Sequence, residues 1–310
     1  DLAKQTSLST NTRNRLIMRI VVCTPGFNTN SGGSLVLDVI AHKLLEAGLR
    51  VAFLMLAPVW LDRERRTLGL APEKLETKIL RGIPVIDKAE LNQISDIVIY
   101  PEVVYGNPCG ASKVIRWLLN SPGKICATRI DFAKEMIISH ATHFIPKEAK
   151  NIDVAVLSLT YIDWDLIEAS SSKPKQRNVS VVVRKGRRYH QKIPTLPRDW
   201  LILDGFPFER QVTEMAKSNY VISFDPYTML SNYACLVGSK SIVVPIPEYC
   251  EDQWLPEVGR RTGIAYGISA SHEICWESQR RQLTNIYESC EEQNTKLISI
   301  LLELIYARFA

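Results

Sequence analysis

No apolar run in this 310-residue sequence approaches the roughly 18 residues that a bilayer-spanning helix needs. The first fifteen residues are too polar for a secretory leader. The seven cysteines are odd in number, scattered, and never spaced as CxxC, which argues against a disulfide framework or a zinc site. GxGxxG, GxxxxGK[ST] and GxSxG are all missing, which counts against a dinucleotide dehydrogenase, a P-loop ATPase and an α/β-hydrolase. No nucleic-acid-binding motif occurs, and the net charge of +5 is too small and too dispersed to argue for a nucleic-acid partner. These absences fit a reduced compartment, and the expected location is cytoplasmic.

What remains is ordinary globular composition, 46% hydrophobic and 23% charged, in a chain long enough for two domains. The mild positive excess suits anionic ligands or weak attraction to the inner face of an anionic membrane.

The most legible stretch runs from Ser218 to Pro247. Tyr220–Ser223 is a short apolar strand, 224–228 a polar turn, and 229–237 a helix, with Gly238 placed for a left-handed helix end. Ser241–Val244 is a second strand, stopped by Pro245 and Pro247. Such a strand-turn-helix-strand unit belongs to a parallel α/β sheet, in which ligands bind at the carboxyl ends of strands.

The same grammar occurs earlier. Residues 19–23 read as a strand, 24–33 as a turn-rich loop, 34–47 as a helix ended by Gly48, and 50–54 as a strand. Further strands are expected over 96–100, 124–128 and 154–157, and a short helix over 112–120. The Ser/Lys/Pro stretch at 168–175 reads as a linker. Residues 1–16 then form a polar lead-in, 17–168 the first domain, 169–176 the connection, 177–285 the second domain, and 286–310 a terminal helix with Leu297, Leu301, Leu304 and Ile305 on one face. In the second domain, 179–183 and 200–203 are strands and 208–217 a helix.

Three second-half loops should converge: the basic run Arg184–Arg188, Asp204-Gly205, and Asp225 to Thr228. Arginine and lysine beside Gly186 suit a diphosphate, and Thr228 and Ser231 could donate to its oxygens. A solvated basic turn with Thr228 as a simple cap is the plainer reading of the same residues. In the first half, Asn30, Ser31, Gly32 and Gly33 form a glycine-bearing loop that could equally be a plain strand-helix turn. His140 and His143 lie three apart with no third ligand at metal spacing, so no metal site is expected.

Several strings together resemble nucleotide-sugar-dependent glycosyltransferases of the GT-B fold, and among them bacterial enzymes of surface-polysaccharide and rhamnan assembly. They are the Asn30–Gly33 loop with its helix, the string "YPE…GNP…RWLLNSPG" from Tyr100 to Gly123, the run Arg184–Arg187, and Asp225 through Gly238. The resemblance covers most of the chain from Arg19 on. It implies two facing Rossmann-like domains with parallel sheets and a C-terminal helix crossing back to the first domain.

By the same resemblance the first domain would take a glycan or lipid-linked acceptor and the second a nucleoside-diphosphate sugar. Arg184, Lys185, Gly186 and Arg187 would hold the diphosphate. Asp204, Gly205, Asp225, Tyr227, Thr228, Ser231 and Tyr233 would line the donor pocket, and Gly32 and Gly33 would let the backbone approach the sugar-phosphate. The donor is a co-substrate, and no cofactor or metal is implied. Peripheral membrane association follows from family habit. Relatives carry glutamate five positions before the glycine matching Gly238, where this chain has Tyr233. Glu102, Asp131 and His140 are the candidates for a catalytic base. Two alternatives use the same fold: a nucleotide-sugar epimerase, and a non-catalytic sugar-nucleotide or glycan-binding protein.

Overall fold

The computed structural model of the chain describes residues 18–24, 32–56, 82–247 and 249–309. The chain divides into two compact units, Asp1–Tyr161 with Glu291–Ala310, and Ile162–Cys290. Unit 1 holds strands β1 (Arg19–Thr24), β2 (Arg50–Met55), β3 (Val85–Ile86), β4 (Ile97–Pro101), β5 (Lys113–Leu118), β6 (Met136–Ser139) and β7 (Ala155–Val156). Unit 2 holds β8 (Arg177–Val182), β9 (Leu201–Ile202), β10 (Ser218–Ser223), β11 (Lys240–Val243) and β12 (Ile264–Tyr266). The α-helices among the described residues are α1 (Gly32–Glu46), α2 (Trp164–Ser171), α3 (Phe208–Ala216), α4 (Leu230–Leu236), α5 (Glu251–Trp254), α6 (Ile268–Ser271), α7 (Trp276–Glu288) and α8 (Cys290–Phe309).

Both sheets are parallel, ordered β3-β2-β1-β4-β5-β6-β7 and β12-β11-β10-β8-β9. In unit 1 the chain runs outward from β1 and returns to pair β4 on its other side, with Ile20 opposite both Val51 and Ile97. In unit 2 the same reversal falls between β8 and β10, where Val221 lies opposite Ser180. These reversals open a crevice at the carboxyl ends of the two strands, where α/β sheets take ligands.

The unit 1 core joins α1, through Leu37, Ile40, Ala41 and Leu44, to α8, through Ile298, Leu301, Leu302 and Ile305. Each of these buried leucines and isoleucines contributes about 1.5–3 kcal/mol of transfer free energy. Lys43 pairs with Glu291 at 2.5 Å, and Asn294 exchanges hydrogen bonds of 3.0 and 2.7 Å with the main chain of Thr160. The terminal helix therefore packs on the first sheet, as the resemblance implies. Its buried stripe includes Ile298 and Leu302, while Leu297 is only partly buried against the core.

Two expectations fail. Residues 112–120 are not a helix, because 113–118 form β5 in the middle of the sheet. Apolar residues at 114, 115, 118 and 119 imitate a helical spacing, with Arg116 placed as if on a solvent face. Arg116 is fully buried instead. Its guanidinium donates to Glu135 at 2.7 and 3.1 Å and to the carbonyls of Val104 and Gly106, both at 2.7 Å. A cation satisfied in this way can occupy a core strand. Residues 124–128 form no strand, and the strand that follows β5 is β6, Met136–Ser139.

The segment read as a linker begins inside α2, and residues 176–177 already bond to the carbonyl of Lys217 at 2.7 and 3.1 Å.

Candidate functional site

The carboxyl end of β8 runs into a 3-10 turn over Arg184–Arg188. Arg184 has φ 39, a left-handed backbone that arginine rarely adopts. Asp204, just past β9, holds it there: its carboxylate accepts from the amide of Val183 at 3.0 Å and from that of Arg184 at 2.6 Å. Gly205 follows with φ 84 and turns the chain toward α3. Burial pulls the Arg184 guanidinium below its ordinary pKa, opposed by the charges of Asp225 and Asp204. This cation lies among the ends of β8, β9 and β10.

Gly186 is buried, and a Cβ on it would come within 2.6 Å of the Phe224 carbonyl. The glycine is needed because the basic turn packs against the end of β10, a reason distinct from close approach to a ligand. Lys185 is half-buried, and Arg187 and Arg188 are exposed.

Beyond Phe224, Asp225 is 1% exposed, and its Oδ1 accepts from the amide of Tyr227 at 3.3 Å. Ser223 donates to the Asp225 carbonyl at 2.8 Å, and the Trp254 indole donates to the Pro226 carbonyl at 2.9 Å. The Tyr227 hydroxyl donates to the Trp254 carbonyl at 3.3 Å, and burial raises its pKa. Thr228 Oγ1 accepts from the amide of Leu230 at 3.3 Å, a local turn bond that leads into α4. Ser231 is buried, and its hydroxyl makes no hydrogen bond among the described residues.

The three loops thus meet around Arg184, which lies in electrostatic range of both Asp204 and Asp225. Tyr233 does not join them. It is fully buried, its ring packs edge-on to Phe208 at 5.0 Å, and its hydroxyl accepts from the amide of Asp163, the N-cap of α2, at 2.8 Å. Sequence reasoning missed His190, which is 9% exposed behind this loop with Nε2 3.0 Å from the Phe224 carbonyl. Only its place two residues after the basic run hinted at that position.

In unit 1, Gly32 and Gly33 open α1 after β1, while Asn30 and Ser31 lie outside the described residues. Glu102 and His140 follow β4 and β6 at the carboxyl edge of the sheet. Glu102 is 4% exposed, and its carboxylate accepts from the amide of Leu119 at 3.0 Å, tying the ends of β4 and β5 together. The His140 carbonyl accepts from the Ser158 hydroxyl at 2.6 Å. Asp131 stands apart, exposed in the turn that leads into β6, where it accepts from the amide of Ala133 at 3.2 Å. Tyr100 and Asn107, from the most specific string of the resemblance, hydrogen-bond each other at 3.0 Å and shape the loop after β4.

No family model matches the chain, and no curated protein is similar to it in sequence. Solved structures do match its fold. A glycosyltransferase from Rickettsia africae aligns at a TM-score of 0.50 and 12% identity, over 93% of this chain and 98% of that one. The phage T4 BGT in complex with UDP and Mn2+ aligns at 0.47 and 10% identity, over 91% and 99%. The UDP-GlcNAc 2-epimerase of Neisseria meningitidis aligns at 0.40 and 10%, over 94% and 99%. Two parallel α/β sheets, each with its strand-order reversal, and a terminal helix returned to the first sheet make this the fold of the GT-B glycosyltransferases.

Proposed function

We propose that the protein transfers a glycosyl group from a nucleoside-diphosphate sugar to a glycan or lipid-linked acceptor in polysaccharide assembly, on the cytoplasmic side of the membrane. Arg184 carries this reading. A cation is held half-buried by a strained backbone at a strand-order reversal, and its side chain makes no hydrogen bond among the described residues. Natural chains tolerate such strain where it positions a functional group. A diphosphate would bring the charge that Asp204 and Asp225 supply only at a distance.

Arg184, Lys185 and Arg187 would neutralise the departing diphosphate, so the reaction needs no bound metal. The Thr228 hydroxyl would donate to a further phosphate oxygen. Tyr233 has no part in donor binding in this reading. Its burial supports neither contact with a donor sugar nor loss of activity, so the departure from glutamate does not weigh for a degenerate binding protein.

The test is calorimetric titration of uridine, guanosine and thymidine diphosphates into the native protein and Arg184→Ala. Loss of one charge-assisted contact costs about 2 kcal/mol, or roughly thirty-fold in affinity. Equal affinity of the two proteins for every diphosphate, or no binding by either, would sink the proposal. Unchanged turnover after chelation is the outcome expected of a metal-free reaction.

A further inference from the structure

One face of the unit 2 sheet is covered by helices, and the other is not. Val182, Leu203 and Val221 point toward α2, α3, α4 and α7. The opposite face, with Val179, Val181, Val183, Ile222 and Phe224, is covered by the irregular segment that returns from the basic turn to β9, through Ile193, Leu196 and Trp200. Beside it lies a cavity of about 370 Å³ lined by Ile222, Ile242, Val244, Pro245, Gly267 and Ile268, with the Tyr266 ring and Ser269 at its border. Ile222 and Val244 belong both to the cavity wall and to the cluster under the irregular segment, so the two are contiguous.

Among the described residues, none that lines the cavity is charged, and its walls are mainly aliphatic. Its volume equals the liquid share of about a dozen water-sized groups, enough for a hydrocarbon chain of similar carbon count. Ile268 in its wall is 64% exposed, a large apolar side chain left in water. Gly267 at φ 94 shapes the wall, and a Cβ there would meet Pro245 Cγ at 3.2 Å.

The neighbouring segment is strongly basic. Between 184 and 198 the sequence carries Arg184, Lys185, Arg187, Arg188, Lys192 and Arg198 and no acidic residue. Arg187, Lys192 and Arg198 are exposed and make no ion pair among the described residues. An aliphatic cavity contiguous with a segment that carries exposed cations matches an amphiphilic anion, with hydrocarbon inward and phosphate against the segment.

We infer that unit 2 binds the alkyl or isoprenyl phosphate portion of a lipid in this cavity, with Lys192 and Arg198 of the basic segment facing its phosphate. Recognition needs both parts: the alcohol lacks the charge and inorganic phosphate lacks the chain. That this lipid anchors the acceptor rests on the glycosyl-transfer reading, whereas the site itself does not.

The experiment is calorimetric titration of dodecyl phosphate, below its micelle-forming concentration, into the whole protein, with dodecanol and inorganic phosphate as separate ligands. Native protein should bind dodecyl phosphate at least tenfold more tightly than either. Ile268→Asp, a change at an exposed position, should weaken it at least tenfold. Lys192→Glu with Arg198→Glu should weaken dodecyl phosphate similarly and leave dodecanol unaffected. Uridine diphosphate binding, measured on the same variants, should stay unchanged, so failure of the donor site and failure of this one are read separately. The inference is overturned if dodecyl phosphate does not bind, if Ile268→Asp binds it as the native protein does, or if inorganic phosphate displaces it fully, which would mark a bare anion site.

Discussion

Asp204 holds the main chain of Arg184: one carboxylate takes the amides of Val183 and Arg184 at 3.0 and 2.6 Å and keeps an arginine at φ 39. A left-handed residue other than glycine costs roughly 1–2 kcal/mol. Arg184→Gly should therefore cost no stability and can raise the melting temperature, while diphosphate binding falls about thirty-fold. Asp204→Ala should do the reverse to the fold, losing about 2 kcal/mol as two amides lose a charged acceptor. Thermal melts beside titration calorimetry separate the two effects. A loss of stability in Arg184→Gly equal to that in Asp204→Ala would show that the arginine serves packing rather than binding.

Tyr233 makes a second prediction. Placing there the glutamate that the resemblance implies would put a carboxylate in a fully buried site among Phe208, Leu230 and Val212. Such a charge, unpaired, costs on the order of 3–5 kcal/mol. Tyr233→Glu should unfold unit 2 at lower denaturant and gain no turnover. Tyr233→Phe, which removes the hydroxyl that accepts from the Asp163 amide, should cost about 1 kcal/mol and leave diphosphate binding unchanged. A stable, more active Tyr233→Glu would contradict the buried placement.

Gly186→Ala is a third case, because its Cβ would sit 2.6 Å from both the carbonyl carbon and oxygen of Phe224. Backbone cannot give way as a flexible side chain can, so the basic turn must lift off the end of β10. Overpacking of this kind costs about 1–3 kcal/mol. Denaturant unfolding should show that loss, and diphosphate affinity should fall with it because Arg184 moves with the turn. Native stability in the alanine variant would mean that the turn does not pack on Phe224.

Much of this architecture was legible in the sequence because local and tertiary demands agree. The strand, turn, helix and glycine from Ser218 to Gly238 are each written in local propensity, and Gly238 at φ 81 ends α4 as its position predicted. Arg116 shows where that agreement fails. A charge inside an apolar run signals solvent unless its partners are known, and those partners, Glu135 and the carbonyls of 104 and 106, lie up to nineteen residues away. The burial of Tyr233 was not legible for a related reason. Position relative to Gly238 fixed its place on α4, but which face of the helix meets α2 depends on packing across 70 residues of sequence.

His190 links the candidate site to pH. The ring is 9% exposed, packs edge-on to Phe224 at 5.8 Å, and shares a 3.0 Å hydrogen bond with the Phe224 carbonyl. Burial pulls its pKa down, and the bond to that carbonyl raises it less. The folded state therefore favours neutral imidazole while the unfolded chain titrates near the ordinary value of about 6.5. Below that value the unfolded state binds more protons, so the contribution of His190 is fully present above about pH 6.5 and is lost as pH falls toward the folded pKa. Denaturant midpoints measured between about pH 7.5 and 5 should drop on the acid side, and His190→Gln, which can still donate to the carbonyl, should flatten that part of the slope. Because Phe224 leads directly into Asp225, diphosphate affinity should weaken over the same window more in the native protein than in the glutamine variant. In that variant only the ligand's own phosphate titrates, at about pH 6. An acid slope that survives His190→Gln would assign the titration to another group.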